Sequence, residues 1–384
     1  MRFPPISAAG LLLLAVMGCD RGTPAAANVI RSDSAGVKII TSTGPDAELA
    51  WRFDTLGLLT DSLGEPWLFT GVSRRVVLTD RAGRTYVLEN EPAIRRFGRD
   101  GRYERSFGRK GGAPGEMEFA YQLLQQGDSV AVLDLGRNAI VRWGPDLEPI
   151  QDLPRRGALD RVQGLAFRSG GAWVESSAFD STGSRTMLYL DTLGSAPLFE
   201  VNEGRPKMMQ ACGGRLGFAM PAFFSPRIIW THSGARMLAT LGPDYRLQLF
   251  EGSRLIASIR RDLPQRAPTV ADLQRMYPEG LKIRFGGGEC TVPLDELLQT
   301  VGFAPVMLEV HGVALLADAT MWVQRSVANE KPPVLDVFGS DGAYAGSVRG
   351  LYLPVGLLPN GELLVPLDDE DSGGLVIARM RVRK

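Results

Sequence analysis

Apolar and polar residues alternate over short runs along nearly the whole chain after residue 37, and Gly, Asp, Asn or Pro interrupts each run. This pattern predicts many short β-strands joined by tight turns. Two segments match closely: FGRDGRYERS at 97–106 and FGSDGAYAGS at 338–347 share Phe, Gly, Asp, Gly, Tyr and Ser at identical offsets. An Asp-Gly step between alternating runs favours the positive φ angles of a hairpin, so each reads as strand, turn, strand. Weaker copies lie at 139–150, 186–201 and 245–259, and a second pair of alternating runs precedes each hairpin, at 76–89, 121–134, 164–176, 227–240 and 313–324. The repeating unit is therefore four strands. A sixth unit opens at 355–367 and continues at 374–382, where it stops one strand short. The alternating run VKIITS at 37–42 is the expected donor of the missing strand. The predicted fold is all-β: a six-bladed β-propeller of four-stranded blades, closed by an N-terminal strand.

The stretch RRFGRDGRYERSFGRKGGAPGEMEF at 95–119 crowds glycines and arginines together. It lacks the Gly-Lys-Ser/Thr end and following helix of a phosphate loop. Acidic residues and strand alternation divide its seven basic residues, which predicts a solvated sheet face rather than an anion site. The Phe-Gly ending and the Gly-rich connection closing in Pro-Gly-Glu resemble the blade junction of NHL-type β-propellers. From about residue 37 the chain is similar to bacterial six-bladed propeller lipoproteins. Members of that group differ widely in function, so the resemblance implies fold rather than activity.

The N-terminus adds an address. Residues 1–18 carry Arg2, an apolar run from Ala8 to Met17 and then Gly18, which is the form of an export signal. Val16-Met17-Gly18-Cys19 resembles the lipobox of bacterial lipoproteins, which implies lipid attachment at Cys19 and a tether over 19–36. The expected location is the cell envelope, periplasmic or on the outer surface, with the membrane as one partner through the lipid. Basic and acidic residues balance, 43 against 43, so no net field draws the chain to nucleic acid, and none is expected as a partner. With Cys19 assigned to lipid, Cys212 and Cys290 remain as an expected disulfide.

Candidate chemistry is sparse. The chain has two histidines, His232 and His311, too few for a site built on several imidazoles, and no Gly-x-Ser-x-Gly elbow. The repeat places them towards opposite ends of the channel. The acidic run LDDEDSGG around Asp368 has the look of a calcium-loop opening but ends on Met380 where a closing carboxylate would stand, and it reads as a solvated turn. No metal, cofactor or catalytic residue is implied. The individual feature is an insertion at 264–305 between the fourth and fifth units. Two short helices are expected there, the first capped by Thr269 with Asp272 and ended by Pro278, the second over about 293–301. Connections of this kind gather on one face of a propeller, which places the insertion beside 202–226 and both cysteines, as a lid over the channel.

The expected function is a monomeric, non-enzymatic binding or scaffold protein that takes a protein or glycan partner on the lid face. The alternative is a hydrolase or lyase of the propeller-lactonase kind, which by resemblance would hold a divalent metal in the channel, with Glu309 and Asn360 as candidates.

Overall fold

The computed structural model describes residues 28–177, 183–285, 288–325, 333–369 and 372–384. The export segment 1–18 and Cys19 lie outside the described residues.

Six four-stranded antiparallel units surround a central channel, each numbered here from the innermost strand outward. Blade 1 is Val77–Thr79, Thr85–Leu88, Ile94–Phe97 and Tyr103–Phe107. Blade 2 is Ala120–Gln126, Ser129–Asp134, Ala139–Trp143 and Pro149–Pro154. Blade 3 is Val162–Arg168, Gly171–Ser177, Ser184–Asp191 and Gly194–Asn202. Blade 4 is Ile229–Ser233, Arg236–Thr240, Arg246–Glu251 and Arg254–Arg261. Blade 5 is Val310–Leu315, Met321–Arg325, Leu335–Phe338 and Tyr344–Val348. Blade 6 is Gly356–Leu357, Leu363–Asp368 and Leu375–Arg383, closed on the outside by Arg52–Leu58.

That closing strand corrects the expectation. Arg52–Leu58 pairs antiparallel with Leu375–Arg383, from Arg52 opposite Arg383 to Leu58 opposite Ala378. The segment read as the donor forms Val37–Thr43 instead and runs parallel to the outer strand of blade 4, Ile39 opposite Ser258. Asn28–Ser34 pairs on its far side, so part of the expected tether is strand. The N-terminal segment thus forms a belt: it extends blade 4, bridges to blade 5 where Leu49 N–H donates to the Ser347 carbonyl at 2.9 Å, and then completes blade 6. Ile40, 3% exposed, explains the choice of edge, because it packs with Leu247, Ile259, Phe338 and Tyr344 at the seam of blades 4 and 5. Burying such a side chain contributes about 2 kcal/mol.

Alternation along the strands sends one face of each sheet into each inter-blade seam. Trp143, Trp173 and Trp322 are the largest fully buried side chains. Trp143 packs with Tyr86, Phe107 and Val132 between blades 1 and 2, and Trp322 with Leu363, Val365 and Met380 between blades 5 and 6. The Gly-rich junction turns the chain against this core, as expected. Gly115, at φ +75°, has Pro149 Cγ only 2.7 Å from where a Cβ would stand. Three of its seven basic residues are paired locally, Arg95 with Glu89 at 3.0 Å, Arg96 with Glu104 at 2.6 Å and Arg109 with Glu116 at 2.7 Å.

Candidate functional site at the channel mouth

The lid lies between blades 4 and 5. Helix α1, Val270–Met276, carries the capping box expected of Thr269 and Asp272, and helix α2, Leu294–Thr300, follows Pro293. Sequence pattern missed two hairpins: Leu281–Phe285 with Gly288–Val292, and, before blade 4, Lys207–Ala211 with Leu216–Met220. The two segments join through a disulfide between Cys212 and Cys290, whose Cα atoms are 5.7 Å apart. They also share an apolar cluster of Met209, Phe223, Phe224, Leu273, Leu297 and Met307. The Phe223 N–H donates to the Gly302 carbonyl at 2.9 Å, and the Ala304 N–H to the Phe223 carbonyl at 2.8 Å. Burial of the Asp272 carboxyl opposes its ionisation, but donation from Arg266 and Thr269 wins and holds it well below the usual carboxylate range.

Beneath the lid, the strand ends on this face bring charged residues from several blades to the channel. Glu175, buried in blade 3, accepts the Trp230 indole N–H at 2.8 Å. Arg185 reaches it at 3.1 Å and Arg75 at 3.4 Å. Arg75 also donates to the Tyr121 hydroxyl. Arg185 reaches Glu203 at 2.8 Å, whose carboxyl burial pushes up. Gly164 accommodates this arrangement, because a Cβ there would stand 3.0 Å from both Glu175 and Trp230.

Two further guanidinium groups are less well matched. Arg74 donates to the Pro354 carbonyl at 2.9 Å and forms no ion pair among the described residues. Burial pushes its pKa down to about 10. The Arg227 guanidinium has neither a hydrogen bond nor an ion pair among the described residues; burial lowers its pKa, and the nearby Arg185 and Arg75 lower it further against the pull of Glu203. Both sit enclosed by protein yet reachable from the channel, where a charge is worth more than on an open surface.

The histidines lie as the repeat places them. His311 is the second residue of its strand and His232 the last but one of its own, so they lie towards opposite ends of the channel. Burial pushes each down to about 4, with Arg227 adding to the effect at His311 and Arg74 at His232. Among the described residues no group of three or more His, Cys, Asp or Glu could hold a metal ion. Glu309 lies on the lid side, 3.8 Å from Arg266, with its pKa raised by burial. Asn360 sits in the turn after the innermost strand of blade 6, on the other face, and accepts the Glu362 N–H at 3.2 Å. These two candidates do not come together. In the acidic run, Asp369 accepts the Ser372 N–H at 3.0 Å and Asp368 the Tyr352 hydroxyl at 2.7 Å, while residues 370 and 371 lie outside the described residues.

Searches against protein families and against curated proteins return no match. Solved structures do match. A Bacteroides fragilis protein described as exported aligns over 90% of this chain and all of its own, with a TM-score of 0.53 and 11% identity. The likeness is one of fold. Virginiamycin B lyase from Staphylococcus aureus aligns over 86% of this chain and 99% of its own, with a TM-score of 0.40 and 11% identity. A calcium-binding regucalcin from Agrobacterium tumefaciens aligns over 85% and 95%, with a TM-score of 0.40 and 13% identity. At these identities no activity transfers.

Proposed function

We propose that this chain is a non-enzymatic, extracytoplasmic binding propeller, lipid-anchored through Cys19 and related to the NHL-type group, that takes a protein or glycan partner on its lid face. The channel mouth receives an acidic group of that partner. The observation that carries the reading is the imbalance of charge under the lid: among the described residues, Arg74, Arg75, Arg185 and Arg227 face only Glu175 and Glu203. A carboxylate or sulfate about 4 Å from an enclosed guanidinium gains about 4 kcal/mol at an effective dielectric of about 20, enough to offset part of the desolvation these arginines bear. Around them the lid supplies a rigid, disulfide-joined surface.

The test is crosslinking on intact cells with the wild-type chain, with Arg74→Ala/Arg227→Ala, and with deletion of 266–303 combined with Cys212→Ser. Capture of a partner that falls with both changes supports the proposal. Unchanged capture by both overturns it, and so does turnover of a lactone panel with a stoichiometric divalent metal.

A further inference from the structure

Under the lid, the two carboxylates already have their donors. Glu175 Oε1 accepts from Arg185 at 3.1 Å, and its Oε2 accepts from the Trp230 indole at 2.8 Å and from Arg75 at 3.4 Å. Glu203 is met by the same Arg185, whose Nε stands 2.8 Å away. One arginine thus spans both acids. The guanidinium of Arg227, an exposed residue, is left with neither hydrogen bond nor ion pair among the described residues. Arg74, which precedes Arg75 at the entry to blade 1, holds only the Pro354 carbonyl, at 2.9 Å.

Four guanidinium groups less two carboxylates leave an excess of two positive charges among the described residues. A singly charged acid, whether a carboxylate or a sulfate ester, meets half of that excess. A phosphate monoester meets all of it, because its second proton leaves at about pH 6 and it carries about two negative charges above that. The kind of cation agrees. All four are arginines, and the planar fork of donors on a guanidinium matches phosphate oxygens in pairs, which the single ammonium of a lysine does not. Arg75, Arg185 and Arg227 belong to three different parts of the ring, yet the first two depress the ionisation of the third, so their charges bear on one volume.

Given the anion-receptive mouth proposed above, on which this rests, we propose that the group it takes is a phosphate monoester in its dianionic form, carried by the partner. Arg227 and Arg74 supply the charge that no carboxylate of the site meets, and Arg75 adds to it from the edge of Glu175. Carboxylated and sulfated groups, as monoanions, are the weaker ligands.

The experiment is isothermal titration calorimetry of the full chain with methyl phosphate and with methyl sulfate, which share a shape and differ by one charge. At about pH 8 methyl phosphate is expected to bind at least about tenfold tighter, since a second charge gains from the same enclosed guanidinium groups. At about pH 5 only about a tenth of the phosphate remains dianionic, and the ratio should fall about tenfold. Protonation of Glu203, whose pKa burial raises, strengthens both ligands alike and cancels in the ratio, while His311 and His232, pushed down to about 4, stay mainly neutral. Arg227→Gln removes a guanidinium without a contact among the described residues, so it should keep a native-like melt and lower the ratio at the higher pH. Equal binding of the two ligands there overturns the dianion while leaving the mouth anion-receptive; no binding of either overturns that reading too. A ratio unmoved by Arg227→Gln overturns the site. Glucose 6-phosphate and O-phosphoserine extend the series to esters of a glycan and of a protein. Binding of either at least as tight as methyl phosphate supports an ester borne by the partner, and weaker binding of both, with inorganic phosphate tightest, overturns it in favour of the free ion.

Discussion

The disulfide gives a sharp test of the lid as a separate, pinned unit. Cys212 and Cys290 are 78 residues apart in sequence. In the chain-entropy account, a loop of that length constrains the unfolded chain by about 4.5 kcal/mol. Opening of the lid alone leaves blade 4 folded inside the loop, so fewer residues are free to explore space. The dependence on length is logarithmic, and halving the free loop lowers the figure by only about 0.6 kcal/mol. Removing the bridge should therefore lower the free energy of lid opening by about 4 kcal/mol, close to a thousandfold in the open population.

The variant is Cys212→Ser/Cys290→Ser, which avoids a stray thiol, and the assay is amide hydrogen exchange. The informative amides are Phe223 and Ala304, which tie the two lid segments across 2.9 and 2.8 Å. Their exchange should accelerate by two to three orders of magnitude, while amides in the core of blade 2, such as Val132 and Val141, keep their protection. The shared cluster around Phe223, Leu273 and Leu297 should keep the lid docked most of the time. A rise of less than tenfold at Phe223 and Ala304, or an equal rise in blade 2, would refute the idea that the bridge acts locally.

Four further outcomes are expected. A chain beginning at residue 45 keeps the closing strand Arg52–Leu58 and should melt only a few degrees lower, whereas one beginning at residue 60 should not fold as a monomer; comparable melts for the two would contradict the ring closure described here. Asp336→Ala removes a fully buried carboxylate held by Tyr245 at 2.7 Å and Ser347 at 2.6 Å and should cost about 3–5 kcal/mol in urea unfolding; a loss under about 1 kcal/mol would show the network to be dispensable. Glu175→Gln should destabilise the protein in low salt and be partly rescued by sulfate, since it takes the buried counter-charge from Arg75 and Arg185; a melt indifferent to sulfate would count against an anion-receptive mouth. Because the folded pKa values of His232 and His311 are depressed from 6.5 to about 4, the unfolded chain takes up their protons first. Stability should be full above about pH 6.5 and fall as the pH drops towards 4, and His232→Gln/His311→Gln should flatten that slope in pH-dependent melts.

Much of this architecture is legible in the sequence because strand alternation and Asp-Gly turns are local signals. The hairpins at Phe97 and Phe338 stand where their shared motif places them. The Thr269–Asp272 capping box is equally local. Ring closure is not. Both 37–42 and 52–58 alternate, and only the packing of Ile40 against Ile259 and of Phe53 near Trp322 decides which edge each takes. The lid hairpins escaped notice because glycine and cysteine dilute their alternation. Arg74, Arg75 and Arg227 were missed for another reason: each precedes an innermost strand, a position the repeat defines only once the blades are aligned.

Perturbed ionisation by itself would have pointed to a different place. Burial pushes Tyr245 far above its ordinary value, and Asp336 upward as well, at the seam of blades 4 and 5. Yet that seam is closed on itself. Arg261 and Arg325 share Asp46 and Asp336, two cations for two carboxylates, and Arg261 lies 3.4 Å from the Tyr344 ring centre. That network fastens the N-terminal belt to two blades. The channel mouth under the lid has milder shifts but an unequal count, with Arg74 and Arg227 lacking an ion pair among the described residues. What separates the channel mouth from that seam is therefore the balance of charge: the seam sets two cations against two carboxylates, whereas under the lid four guanidinium groups meet two carboxylates among the described residues.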